Sequence, residues 1–369
     1  MKHFYFTMRG LALAVFSLTA LSLHAQLELP RGSQKASVTQ RVGISDVTID
    51  YSRPRVNDRE IWGALVPYGM NNLGFGTAKE SPWRAGADEN TTITLTHNAQ
   101  VEGMDLAAGT YGLHMIIEPD NRATIIFSKK NTAWGSFFYD PSQDALRVDV
   151  QMKESPHTEW LEYSFTDLSV NSTTARLRWE EKEIPFTIAF NTPAIVLAKI
   201  RQDLENEEGF SRQSWEQAAN YALNNGGDLD EALGWINAAI ADQFFSQKNF
   251  NNLVVKAQIL RAQNKTDAAE AIIDEALPLG TVFEVHTYGR QLIAAGAPQE
   301  ALKVFQKNAK LHKNTWPVDL GLARGYSAIG DYEKALKHLK IAQERAPDEL
   351  NQNAIAANIA KIEAGEDIN

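Results

Sequence analysis

The chain has 369 residues, 44% hydrophobic and 22% charged, which is enough length and apolar content for two buried cores and excludes intrinsic disorder. Its 36 basic residues face 46 acidic ones, a formal charge of −10, so the basic footprint of a nucleic-acid binder is absent. No cysteine occurs, which excludes disulfides, thiolate metal sites, a cysteine nucleophile and a lipid anchor on cysteine.

The first segment, MKHFYFTMRGLALAVFSLTALSLHA, joins Lys2 and Arg9 to an apolar run from Leu11 to Leu23, with Ala25 before Gln26. That pattern predicts a signal peptide over residues 1–25, cleaved near Ala25, and export to the periplasm or beyond. The run is shorter than the roughly 20 residues that span a bilayer, and no later stretch approaches that length, so the mature protein is expected not to be integral to the membrane. Cleavage would leave 34 basic against 46 acidic residues, a formal −12. Export without disulfides fits a bacterial periplasm.

From about residue 36 to 190 the apolar pattern has a period of two, which predicts strands and a β domain over residues 26–192. Val47, Ile49 and Tyr51 alternate with Thr48 and Asp50; Leu146, Val148, Val150 and Met152 alternate with Arg147, Asp149 and Gln151. Leu161, Tyr163 and Phe165 repeat the pattern, as do Ala175, Leu177 and Trp179, and then Ile184, Phe186, Ile188 and Phe190 as a separate run. With turn signals such as Glu102-Gly103 and Ala108-Gly109 between runs, the expectation is an antiparallel β-sandwich or barrel, the sandwich preferred.

After Thr192-Pro193 the composition turns to Ala, Leu, Glu, Gln and Lys and the period becomes helical. A linker helix is expected over 193–212 and a helical repeat domain over 213–369. Ala232, Ala269, Ala301 and Ala335 recur at separations of 37, 32 and 34 residues, the period of stacked helix pairs. The last unit places Leu322, Ala323, Tyr326, Gly330, Tyr332, Ala335, Leu339, Ala342 and Pro347 as a tetratricopeptide repeat (TPR) does, and it resembles that family. The unit with Tyr288, Gly289, Gly296, Ala301 and Phe305 matches with Pro298 in place of the turn aromatic. The two earlier units are weaker, with Asn264 at one turn and Gly227 expected at the other. Four helix pairs follow, with a helix at about 348–364 capping the end.

Four stretches of the β half carry a second resemblance: IDYSRPRVNDREIWGALVPYG (49–69), SPWRAGADENTT (81–92), AAGTYGLHMI (107–116) and AWGSFFYDPSQDALRV (133–148). Together they resemble the DUF2911 family of exported bacterial proteins over about residues 30–190, and members of that family often carry a helical repeat region. The resemblance implies a β domain and supplies no mechanism. The family's central motif commonly reads Trp-Arg-Thr-Gly-Ala-Asn-Glu; this chain has Ala85 and Asp88 at the third and sixth places, and NNLGFGTAKE (71–80) lengthens the approach. A carboxylate at 88 accepts where an amide would both donate and accept.

Arg53, Arg59, Trp83, Arg84, Asp88 and Glu89 are the ligand-binding candidates, with Trp134 and Asp140 beside them. Arginines present a planar fork to carboxylates or phosphates, and Trp83 or Trp134 a face for a sugar or aromatic group. The simpler reading, which the sequence favours, is structural: Arg84 or Arg53 pairs with Glu89, Trp83 fills core and Gly86 bends the chain. Asp140 and Asp144 in YDPSQD read better as a turn than as a calcium loop. His97, His114, His286, His312 and His338 show no zinc spacing, and neither a Gly-x-Ser-x-Gly elbow nor a phosphate loop occurs, so no metal and no cofactor is expected. On the helical side, Asn220, Lys256, His286, Arg290, Asp319 and Arg324 are expected to line a concave groove for a protein or peptide partner. The functional expectation is a non-catalytic exported binding protein, its β domain taking a small polar or carbohydrate-like ligand. The alternative is a periplasmic hydrolase of glycans or peptides using Glu89 with Asp88 or Asp140 and orienting arginines.

Overall fold

The computed structural model describes residues 29–369, so the expected signal peptide lies outside the described residues. Two compact units divide between Phe190 and Asn191.

The first unit holds two antiparallel sheets. The larger has the order β1 (Gln34–Val42), β2 (Ser45–Arg53), β3 (Thr92–Leu95), β6 (Gly109–Ile117), β7 (Arg122–Ser128), β8 (Asp144–Gln151). The smaller has the order β5 (Met104–Leu106), β4 (Ala99–Val101), β10 (Ser172–Ala189), β9 (Lys153–Thr166). Register aligns the apolar series across strands: Ile49 faces Ile93, Ile93 faces Tyr111, and Met115, Ile125 and Val148 follow in line. The sheets meet where Phe127 of β7 packs on Phe186 of β10 and Tyr51 of β2 on Tyr163 of β9, the ring centroids 6.1 and 4.8 Å apart.

One expectation is corrected. The runs 175–179 and 184–188 belong to one 18-residue strand, β10, and Phe190 follows its end. Their buried residues change parity, from Ala175, Leu177 and Trp179 to Ile184, Phe186 and Ile188. Alternation alone cannot carry both runs to one face. The phase change falls at Glu180, whose φ is 54° and on either side of which the register shifts, so an irregularity there bends the strand without ending it.

The second unit is a TPR-like helical array of ten helices among the described residues. Helix α1 (Thr192–Leu204) is tied by Arg201 to Glu231 of α3, and four pairs follow: α2 (Arg212–Asn224) with α3 (Leu229–Ile240), α4 (Phe250–Ala262) with α5 (Thr266–Ala276), α6 (Val282–Ala294) with α7 (Pro298–Leu311), and α8 (Trp316–Ala328) with α9 (Tyr332–Arg345). Ala232, Ala269, Ala301 and Ala335 are all fully buried, each letting its helix approach its neighbours. Pro298 opens α7, where the missing N–H costs nothing. Asn264 takes the left-handed turn conformation at φ 62°; in the first pair Gly226, rather than the expected Gly227, takes it. Helix α10 (Glu349–Glu363) packs on α9. Residues 367–369 then return to α8: Ser327 donates to Asp367, the Ile368 N–H donates to Ser327 Oγ at 3.2 Å, and Arg324 donates to the Ile368 carbonyl at 3.0 Å.

Candidate functional site

The loop 81–92 is pinned at both ends of its first half. Ser81 exchanges backbone hydrogen bonds with Asn71 at 2.8 and 3.0 Å, and Trp83 exchanges them with Met115 of β6, both at 2.8 Å. Trp83 stacks on Trp179 at 6.0 Å and meets the edge of Trp62 at 5.8 Å, so the motif's tryptophan is clamped in a three-indole cluster. Two residues then turn left-handed, Ala85 at φ 50° and Asp88 at φ 57°. The Ala85 carbonyl accepts from Tyr163 Oη at 2.9 Å and Thr91 Oγ1 at 3.1 Å, which holds the bend from both sides.

This geometry sends Arg84 into a half-buried position beneath the loop. Its Nη1 donates to the Asp88 carbonyl at 2.7 Å and its guanidinium lies 5.2 Å over the Phe137 ring. No carboxylate forms an ion pair with it among the described residues. Burial pushes its pKa down, and the Asp88 charge opposes that shift. Gly135 makes the room: its φ is +56°, and a Cβ there would lie 2.5 Å from Arg84 Cζ.

Arg84 borders a cleft of about 520 Å³ that also takes in Trp83, Asp88, Arg55, Arg59 and Trp179. Four of the eight sequence candidates, Arg59, Trp83, Arg84 and Asp88, therefore come together here. The others do not. Arg53 points elsewhere, donating to the Leu161 carbonyl at 2.7 Å and facing Glu162 at 3.7 Å. Glu89 turns toward β1, paired with Arg31 at 2.6 Å and Lys35 at 3.2 Å; these cations, Arg31 foremost, hold its pKa at about 2. The expected pairing of Glu89 with Arg84 or Arg53 is thus replaced by cations from the start of the domain. Trp134 is half exposed and outside the cleft. Asp140 caps the turn Pro141–Gln143 through Ser142 N at 3.0 Å, in line with the turn reading, while Asp144 accepts from Tyr139 Oη and Arg147 Nε. Of the three acids considered for hydrolysis, only Asp88 borders the cleft.

Several contributors escaped the sequence reading. Arg55, Ser81, Ser136 and Trp179 line the cleft, and Trp62 backs it. Behind Arg84, His114 Nδ1 lies 2.9 Å from Ser136 Oγ, and Ser81 Oγ donates to the Ser136 carbonyl at 2.8 Å. Burial, then the Arg84 charge, pulls His114 down to about 4, so it is neutral near pH 7. Arg55, Trp62, Ser81 and Ser136 lie within the family stretches quoted above, which marked their segments without singling them out. No group of three or more metal-ligating side chains occurs among the described residues.

On the helical unit, His286, Arg290 and Arg324 are close enough to interact electrostatically. Burial, followed by Arg324, lowers His286 to about 4, with Arg290 adding to the shift, and His286 Nδ1 lies 3.1 Å from the Pro317 carbonyl. Asp319 is corrected from groove to interior: it is buried between Arg345 at 2.6 Å and His338 at 3.2 Å, joining α8 to α9. Arg324 holds Ile368, Asn220 is exposed and accepts from Asn224, and Lys256 is half-buried on α4. A separate cleft of about 240 Å³ runs between α4 and α6, lined by Asn251, Val254, Phe283 and Tyr288, none of which sequence reasoning chose. No helix among the described residues is long and apolar enough to cross a membrane.

Comparison with known proteins finds the family model "Protein of unknown function (DUF2911)" at residues 33–188. No curated protein matches the sequence. Solved TPR structures match the helical part. YrrB, described as a TPR protein with an unusual peptide-binding site, is 18% identical over 45% of this chain and 84% of its own, with TM-score 0.27. The C-terminal part of a TPR repeat-containing protein from Cytophaga hutchinsonii is 15% identical over 47% of this chain and 67% of its own, with TM-score 0.32. A tetratricopeptide repeat protein from Parabacteroides merdae is 16% identical over 47% and 66%, with TM-score 0.29.

Proposed function

We propose that this chain, a DUF2911 match over residues 33–188 followed by TPR-like repeats, is an exported, non-catalytic binding protein. Its first unit takes a small polar ligand in the cleft beside Arg84, and its helical unit binds a protein or peptide partner. The observation that carries the reading is Arg84 itself. A guanidinium withdrawn from water loses solvation that a carboxylate normally restores, and here a cleft stands where that carboxylate would be. Export is supported by the charged and apolar pattern of residues 1–25 and the lack of cysteine. The partner role is supported by an array of helix pairs whose first helices carry His286, Arg290 and an exposed Phe283.

The test is a calorimetric and thermal-melt screen of the purified protein against neutral sugars, organic acids and phosphate esters. At least one compound class should bind, and Arg84→Met should weaken it at least about tenfold. A protein that binds none of them, or that turns one over, overturns the reading.

A further inference from the structure

The lining of the cleft is chemically one-sided. Three arginines, Arg55, Arg59 and Arg84, face one acid, Asp88, in a protein whose formal charge is −10. Arg55 and Arg59 are partly committed: Arg55 Nε donates to Glu159 at 3.2 Å, and Arg59 Nε to the Val56 carbonyl at 3.0 Å. Arg84 makes one hydrogen bond, to a carbonyl, and leaves most of its five N–H groups unspent. A guanidinium only donates, so it calls for a group that accepts. A neutral sugar hydroxyl both donates and accepts, and its protons would meet further donors. A carboxylate or phosphate offers lone pairs alone, and its charge answers a guanidinium that no ion pair holds among the described residues. Leu65, Leu73 and Trp83 supply an apolar wall for the rest of the molecule.

We propose that the cleft takes a small organic oxyanion, a carboxylate or phosphate ester, with its charged end on Arg84 and its apolar body against Trp83, Leu65 and Leu73. This rests on the cleft being the binding site and names the class of its ligand. Arg84 is the anchor, and Gly135 is what lets it reach the site.

The experiment is isothermal titration of the purified protein with phenyl phosphate, benzoate, inorganic phosphate, and the neutral congeners benzyl alcohol and glucose. Phenyl phosphate or benzoate should bind at least about tenfold more tightly than benzyl alcohol, and added salt should weaken that binding. Arg84→Met should remove the difference, while Arg84→Lys, which keeps the charge and loses the fork, should retain part of it. Which of the two aromatic anions binds better assigns the carboxylate or the phosphate. Binding of glucose or benzyl alcohol alone overturns the oxyanion assignment and leaves the cleft as a binding site. Anion binding that survives Arg84→Met, with the melting temperature unchanged, overturns it by placing the anion elsewhere. Binding by inorganic phosphate alone overturns the organic body. Silence from every compound overturns the oxyanion and, together with a silent wider screen, the cleft as a site.

Discussion

At Gly135 two requirements coincide, a left-handed backbone at φ +56° and space for the Arg84 guanidinium 2.5 Å from any Cβ. Gly135→Ala should therefore cost about 1–3 kcal/mol in urea unfolding and displace Arg84. In an Arg84→Ala background the same change should cost only the backbone share, about 1 kcal/mol, because nothing remains to collide with. A double-mutant cycle checks this, and equal costs in both backgrounds would show that the collision is relieved elsewhere. Residue by residue, the site was half legible. The motif SPWRAGADENTT announced Arg84, Trp83 and Asp88 because their neighbours in sequence build the loop. Arg31 and Lys35, which take Glu89, and Trp62 and Trp179, which clamp Trp83, come from distant segments, and pairing across such distances leaves no spacing to read. Arg84 and Glu89 looked like partners because they are five positions apart; the left-handed bends at Ala85 and Asp88 send them to different sides.

Among elements, α8 shows how a polar residue on a repeat helix misleads. Asp319 reads as a groove residue because charge usually marks a solvated face, yet it lies buried between Arg345 and His338 of the next helix. Asp319→Ala should lower the stability of the helical unit by about 2 kcal/mol, since it removes a buried carboxylate that accepts from Arg345 and contacts His338 across the α8–α9 interface. Urea unfolding followed by helical circular dichroism measures it; a change within about 0.5 kcal/mol would mean that solvent takes over from Asp319. Strand β10 makes the complementary point. Periodicity located both of its apolar runs but split them, because a phase change in a two-residue repeat looks the same whether a turn or a bulge causes it. The helix pairs were easier: Gly289 lies against Phe305, where a Cβ would come within 2.4 Å of the ring, and small residues facing large ones at a fixed interval are a local signature.

At the scale of the molecule, each unit holds a histidine that resists protonation, the buried His114 in the first and the partly buried His286 in the second, both lowered to about 4 chiefly by burial. The sign follows from the reference state. Unfolded histidine takes up a proton below about 6.5 while the folded one stays neutral. Stability is therefore full above 6.5, falls as the pH drops, and levels near 4. By pH 5 the loss should be about 2 kcal/mol per histidine. His114→Asn should flatten the acid dependence of the first unit alone and His286→Asn that of the second, as seen in urea unfolding at pH 7 and pH 5. If each substitution flattened both transitions, the two units would not unfold separately. The division into a β half and a repeat half was readable throughout because each half has its own hydrophobic period.

The return of residues 367–369 onto α8 also bears on assembly. A stack of helix pairs has no intrinsic length: its last apolar face is as fit to receive another copy as its first was to receive the next repeat. Here Ile368, 5% exposed, joins Ile355 and Ile362 of α10 in closing that face, while Asp367 and Asn369 put polar groups at its margin. Three residues, 367–369, thus cover apolar surface that an additional capping helix would otherwise cover.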